Sequence, residues 1–332
     1  MSSPLVSIVV NNFNYERFLH EAIDSALAQS CAPVEVIVVD DGSTDSSREI
    51  IASYGDRVTP VLKPNGGQGS TFNAGFAASR GEIVCFLDAD DRFLPDKARR
   101  VAEAFEQHPR AGWCFHALRL IDTRTSAPLP PSSREPTRFI DFRKRIKRAK
   151  MPTFARATSG ISYKRELLAR MLPMPELEGT SADRFVKMVG LGLAPGVYLD
   201  EELAEQKIHG DNAYTRRPEK QRVGAKSHVF CAHWMRERFP EMSRFANKLF
   251  AMGLGMYWRS GGVDEKYADV VNAYLSRASA GERIVIRTRA FYHSQPWLRR
   301  VRDVVKPVRV KTAPAAGATT VAEPEPAPAT GG

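Results

Sequence analysis

Three carboxylates, Asp88, Asp90 and Asp91, fall within four positions where the apolar run "EIVCFL" ends. Such crowding suits a hard divalent cation, Mg²⁺ or Mn²⁺, which prefers carboxylate oxygens and keeps coordination positions open for substrate phosphates. A metal and a diphosphate would neutralise one another there. The alternative is a turn in which an aspartate caps the helix starting near Pro95, a task for which one carboxylate suffices.

Other polar stretches also sit where apolar runs stop. "NNFN" (Asn11, Asn12, Phe13, Asn14) follows "LVSIVV", "DDGSTD" (from Asp40) follows "VEVIVV", and "KPNGGQGSTFNAG" follows "VTPVL". Asp41 is placed to accept a hydrogen bond from a nucleobase and Phe13 to stack on its face. Gly42, Ser43 and Thr44 read equally well as an ordinary strand-to-helix turn. The glycine-rich stretch lacks the Gly-Lys-Ser/Thr ending of a P-loop, and no G-x-G-x-x-G follows the first run. An NTPase and a Rossmann dehydrogenase are therefore disfavoured.

The elements that must position these residues are legible in the same half of the chain. The apolar runs are short, β-branched and nearly continuous, as strands buried on both faces read. Between them, "YERFLHEAIDSALAQS" places Phe18, Ala22, Ile23, Ala26 and Leu27 on one stripe, and "STDSSREIIASY" opens on capping residues. This alternation predicts an α/β fold, a doubly wound, mainly parallel sheet with helices on both faces, whose ligands bind outside the carboxyl ends of the strands. "GWCFHALRLID" adds a strand. From about Pro218 the periods are helical, and from Lys311 the Ala/Pro/Thr-rich tail offers too little apolar surface to offset its ordering entropy.

Composition narrows the function classes. The 332 residues contain no apolar run near the ~18 that a membrane span requires, and "MSSPLVSIVV" lacks the charged start of a signal peptide, so a cytoplasmic protein is expected. Cys31, Cys85, Cys114 and Cys231 form no C-x-x-C pair, which argues for buried reduced thiols and against a zinc ribbon. The net charge of +10 is concentrated in "RFIDFRKRIKRAK" (from Arg138) and "RIVIRTRAFYHSQPWLRRVRDVVKPVRVK" (from Arg283). In the first, Phe139, Ile140, Phe142 and Ile146 interleave with the charges; in the second, Phe291, Trp297, Leu298 and Val301 do. Both patterns fit an amphipathic helix on anionic lipid, a peripheral contact at the inner face of the cell membrane, or else a solvated helix face. Nucleic-acid binding is disfavoured because no recognition motif accompanies the charge.

Taken together, "LVSIVVNNFNYERFLHEAIDSALAQS", "VEVIVVDDGSTDSS" and "NGGQGSTFNAGFAASRGEIVCFLDADD" resemble the N-terminal half of family 2 glycosyltransferases, which have a GT-A-type fold. The likeness continues more weakly through "TSGISYKRELL", "SADRFV" and "YLDEELAEQKIHGDN". It implies inverting transfer of a sugar from a nucleotide diphosphate sugar, often UDP-linked, to an acceptor hydroxyl. By position, Asn11, Phe13 and Asp41 would hold the nucleoside, Asp88 the ribose, and Asp90, with Asp91, a Mg²⁺ or Mn²⁺ ion. Asp183 matches the family's base, although Ala182 stands where many relatives have Glu, and His209 matches a histidine that could approach the diphosphate or metal. The Q-x-x-R-W motif of processive synthases is missing, which points to addition of a single sugar to a glycan or lipid-linked acceptor in cell-surface polysaccharide synthesis. The implied organisation is a catalytic domain over 1–217, a helical region over 218–306 and a disordered tail over 307–332. A non-catalytic binding module on the same fold and a sugar nucleotidyltransferase are the competing readings.

Overall fold

The computed structural model describes residues 3–30, 33–130, 136–152, 157–177, 179–209 and 220–295. Cys31, Trp297, Leu298, Val301, the segment 210–219 and the tail 307–332 lie outside them.

Four of the expected strands form one flank of a ten-stranded sheet. They are β1 (Val6–Asn12), β2 (Val34–Asp40), β3 (Thr59–Leu62) and β4 (Ile83–Asp88), parallel in the order β3-β2-β1-β4 and linked by α1 (Glu16–Leu27), α2 (Ser47–Ser53) and α3 (Gln68–Ala78). The chain continues through β5 (Arg92–Phe93), α4 (Lys97–Gln107), β6 (Trp113–Asp122), β7 (Ala127–Pro128), β8 (Arg138–Ile140) and α5 (Arg143–Lys147). Then come β9 (Ile161–Lys164), α6 (Arg165–Met171), α7 (Ala182–Leu193) and β10 (Gly196–Ile208). Strand β9 lies antiparallel between β4 and β6, and β10 runs parallel to β6. Among the described residues four further helices follow: α8 (Lys220–Arg238), α9 (Ser243–Arg259), α10 (Ala268–Ser276) and α11 (Ala280–Ser294).

Alternation along the strands divides the core into two layers. Val9, Ile37, Val39, Val84 and Phe86 face one side, where they share a cluster with Phe72 of α3, Phe185 of α7 and residues of α8 to α11. Ile8, Val10, Val36, Val38, Cys85 and Leu87 face the other, with Leu19, Ile51 and Val101 from α1, α2 and α4. Cys85, Cys114 and Cys231 are free and buried, as expected.

Three expectations need correction. Strand β3 is not buried on both faces; it is the sheet edge, with Leu62 exposed, and an edge tolerates Pro60 because no inward ladder needs its missing N–H. Phe18 does not join the buried stripe of α1; Leu19, Ala22, Ile23 and Ala26 fill it, and Phe18 turns to His209. The first basic cluster is not a lipid-facing helix. Residues 138–140 are in β8, α5 spans only Arg143–Lys147, and Phe142 and Ile146 point into the core, which leaves the charges and Phe139 of β8 outside.

Strand β10 was not signalled by its sequence. Its charged stretch satisfies itself sideways: Glu201 pairs with Arg100, Glu202 with Arg119, and Glu205 with Arg92 and Arg119.

Helix α3 crosses the sheet closely at Gly75, where a Cβ would meet Val9 Cγ1 at 2.3 Å and Val39 Cγ2 at 3.2 Å. Gly75→Ala is therefore expected to cost about 1–3 kcal/mol by overpacking, outweighing the roughly 1 kcal/mol that alanine gains in helix propensity. A melting temperature at or above wild type would refute this packing.

Candidate active site

The carboxylates converge because β4 ends in a tight turn. The Asp91 N–H donates to the Asp88 carbonyl (3.0 Å), and the Ala89 N–H to the Asn11 carbonyl of the neighbouring strand (3.0 Å). Oxygens of Asp88, Asp90 and Asp91 all come within 4.8 Å of one another. None of the three caps α4, whose N-cap position is Asp96.

Each carboxylate is held differently. Asp91 is buried and spends both oxygens on the protein, one accepting from the Lys207 N–H (3.0 Å) and one from the Ser159 hydroxyl (2.6 Å). Ser159 Oγ also accepts from the Asp88 N–H (3.2 Å), so one buried hydroxyl joins both ends of the turn. Asp90 Oδ2 lies 3.1 Å from His209 Nε2, and the imidazole packs on Phe18 with ring centroids 4.9 Å apart. Burial first, then the Asp90 charge, pushes the Asp88 carboxyl up to about 7. Burial, then the charges of Asp90 and Asp88, push Asp91 well above the usual carboxylate range. Carboxylate oxygens gathered beside an imidazole are a donor set that fits a hard divalent cation.

On the other side of β1 lie the residues expected to meet a nucleoside. Asn11 is buried; its Nδ2 donates to the Leu87 carbonyl (3.4 Å), while its Oδ1 has no hydrogen-bond partner among the described residues. Phe13 is 43% exposed at the strand end. Asp41 is buried and anchors the glycine-rich loop. Its Oδ1 accepts from Lys63 Nζ (2.7 Å), the Gly66 N–H (3.0 Å) and the Ser70 hydroxyl (3.1 Å), and its Oδ2 from the Gly67 N–H (2.7 Å).

Asp183 stands in the first turn of α7. The Ser181 hydroxyl donates to its Oδ1 and Lys187 Nζ to its Oδ2 (2.5 Å). Burial alone would raise this carboxyl, but the Lys187 ammonium and the Ser181 hydroxyl bring it below the ordinary range, so it is ionised at neutral pH. Its charge is one of those that raise Asp88, which places both in one electrostatic site. Between them lies Gln68, whose Nε2 donates to Asp88 Oδ1 (3.1 Å) and whose Oε1 accepts the Ala182 N–H (3.1 Å). Sequence reasoning missed Gln68, Ser159 and Lys187. Only Lys187 carried a signal, its i,i+4 spacing from Asp183.

Comparison with known proteins bears on the family and the fold. Residues 7–172, half of the chain, match glycosyl transferase family 2, and the match stops short of Asp183. An uncharacterized glycosyltransferase of Nostoc sp. is 37% identical over 212 residues, 62% of this chain and 66% of that protein. The uncharacterized glycosyltransferase EpsJ of Bacillus subtilis is 33% identical over 171 residues, 50% of each. The chain thus spans between half and about two thirds of these two relatives. Among solved structures, S. aureus TarS 1-349, in complex with UDP-GlcNAc, superimposes with a TM-score of 0.63 over 90% of this chain and 92% of its own, at 16% identity. That likeness shows the GT-A-type fold.

The raised carboxyls give the site a pH signature. A carboxyl raised from 3.8 to about 7 on folding contributes stability that is complete below its unfolded value and lost as pH rises through about 7. A cation that binds the ionised cluster offsets that loss. Mn²⁺ is therefore expected to raise the melting temperature more at about pH 8 than at about pH 5.5, and Asp90→Asn to shrink the difference. Equal shifts at both pH values, measured by thermal unfolding, would count against a cation at this cluster.

Proposed function

The chain belongs to glycosyl transferase family 2, and from that membership we propose that it is an inverting, metal-dependent enzyme moving a single sugar from a nucleotide diphosphate sugar to a hydroxyl of a glycan or lipid-linked acceptor. The observation that carries this reading is the meeting of two kinds of carboxylate, a crowded cluster pushed towards protonation and a separate aspartate held ionised. The UDP-GlcNAc bound to TarS supports a UDP-linked donor.

In this reading Phe13 stacks on the base, the Asn11 Oδ1 accepts from it, and Asp41 keeps the glycine-rich loop beside it. Asp88 meets the ribose. Asp90, with Asp91 and His209, holds Mg²⁺ or Mn²⁺, which when bound would act as a Lewis acid towards the departing diphosphate. Asp183 takes the acceptor hydroxyl's proton as that oxygen bonds to the anomeric carbon, opposite the breaking bond to the diphosphate, so configuration inverts. Lys187 keeps Asp183 ionised until the transfer.

The partner on the acceptor side is proposed to be an anionic membrane surface carrying the lipid-linked acceptor, met through α11. Ile284 (67%), Val285 (46%) and Phe291 (56%) are exposed there, and no carboxylate pairs with Arg287 or Arg289 among the described residues. Apolar side chains flanked by unpaired arginines suit anionic headgroups. No helix among the described residues is long and apolar enough to cross a membrane.

The first test is a panel of nucleotide sugars with Mn²⁺ or Mg²⁺, followed as hydrolysis or transfer. Asp183→Asn is expected to keep UDP binding and lose about 10²–10⁴-fold in turnover, whereas Asp90→Asn weakens metal-dependent binding as well. Wild-type turnover in Asp183→Asn would overturn the assignment of the base. Vesicles of anionic lipid should co-sediment the protein at low salt, and Ile284→Asp with Phe291→Asp should abolish this; no co-sedimentation of the wild type removes the membrane contact.

A further inference from the structure

We infer that Gln68 is a positioning residue that sets the base helix against the carboxylate turn. It is the first residue of α3, yet its side chain spends every polar group on other elements. Nε2 donates to Asp88 Oδ1 (3.1 Å) at the end of β4 and to Thr158 Oγ1 (3.1 Å) in the turn before β9. Oε1 accepts the N–H of Ala182 (3.1 Å), the residue before Asp183. A primary amide has two N–H donors and one carbonyl acceptor, and all are used. The orientation is fixed by chemistry: a backbone N–H can only donate, so the oxygen must face Ala182 and the nitrogen must face Asp88.

The bond to Ala182 replaces one that the helix does not make for itself. The first N–H groups of a helix have no partner within it, and an N-cap side chain reaches the second or third of them, not that of the first residue, here Ala182. Ser181 is the N-cap of α7 but makes no capping bond; its hydroxyl goes to Asp183 instead. Gln68 supplies, from another element, the acceptor for the N–H of Ala182. One rigid side chain therefore fixes the separation and tilt between Asp88, on the donor side, and the turn that carries Asp183, on the acceptor side. Attack on an anomeric carbon needs that relation held closely, because a misplacement of about 1 Å can cost on the order of 100-fold in rate.

The kinetic part of the test rests on the glycosyl-transfer reading above; the exchange part does not. Gln68→Met keeps the length and removes every hydrogen bond. Its turnover number should fall about 10–100-fold while the donor KM stays within about threefold, the pattern of lost positioning rather than lost binding. In hydrogen–deuterium exchange followed by mass spectrometry, the amide of Ala182 should exchange about 10-fold faster. The control is Asn73→Ala, which removes a different tether of α3, two bonds to the backbone of Met174 (2.8 and 2.9 Å) and one to Glu176 (3.0 Å). It should lower the melting temperature and leave turnover and Ala182 exchange unchanged. An unaltered turnover number in Gln68→Met, unaltered exchange at Ala182, or the same effects in Asn73→Ala would each overturn the inference. If Gln68→Met fails to fold, Gln68→Glu decides: it keeps an oxygen for Ala182 and loses the donor to Asp88, so exchange should stay near wild type while turnover falls, and full turnover would overturn it. If the wild type turns over no nucleotide sugar, the glycosyl-transfer reading falls, and exchange at Ala182 still decides what Gln68 holds.

Discussion

Like charges gathered out of water are the constraint to which the rest of the site answers. With carboxylate oxygens less than 5 Å apart, each charged pair costs about 3 kcal/mol at an effective dielectric constant near 20, before desolvation is added. A fold keeps such a turn only by surrounding it with donors or by reserving it for a cation. The donors are visible: Ser159 and the Lys207 N–H are committed to Asp91, and Asp90 stands beside the imidazole of His209. The parallel strands set this up, because β1 and β4 end at the same level and their registers bring Asn11 next to Asp88.

The environments of the carboxylates then separate their tasks. Asp88 and Asp91 are driven towards protonation by burial and by Asp90, and Asp183 is driven the other way by Lys187. Neighbouring titratable groups whose surroundings push them apart are the usual mark of a division of labour in catalysis. The separation depends on distance, which the cross-link through Gln68 maintains between two elements far apart in sequence, β4 and α7.

The N-terminal half of this architecture could be read from its residues because period and chemistry agreed there. Val6 to Val10 and Val34 to Val39 cannot leave the core, and the aspartates that follow cannot enter it uncompensated. Legibility failed where side chains were satisfied by distant partners. The acidic stretch of β10 reads as loop until Arg92, Arg100 and Arg119 are brought alongside it. Phe18 and Ile146 fit an amphipathic stripe equally well whether they face core, cleft or lipid, and only packing decides. Gln68 carries no local signal at all, since its partners come from β4, the turn before β9 and α7.

The helical C-terminal third bears on the site through a route that motifs do not record. Residues of α8 to α11 share one apolar cluster with Phe185 and Val189 of α7, the Ser227 hydroxyl accepts the Ser181 N–H, and His228 Nε2 lies 3.3 Å from Arg184. The helix that bears Asp183 is thus backed by a segment beyond the region matched to the family. In evolutionary terms, a crossover that traded this third for a relative's would move thermal tolerance together with the setting of the helix that bears Asp183, so these two traits are expected to be inherited as a single unit.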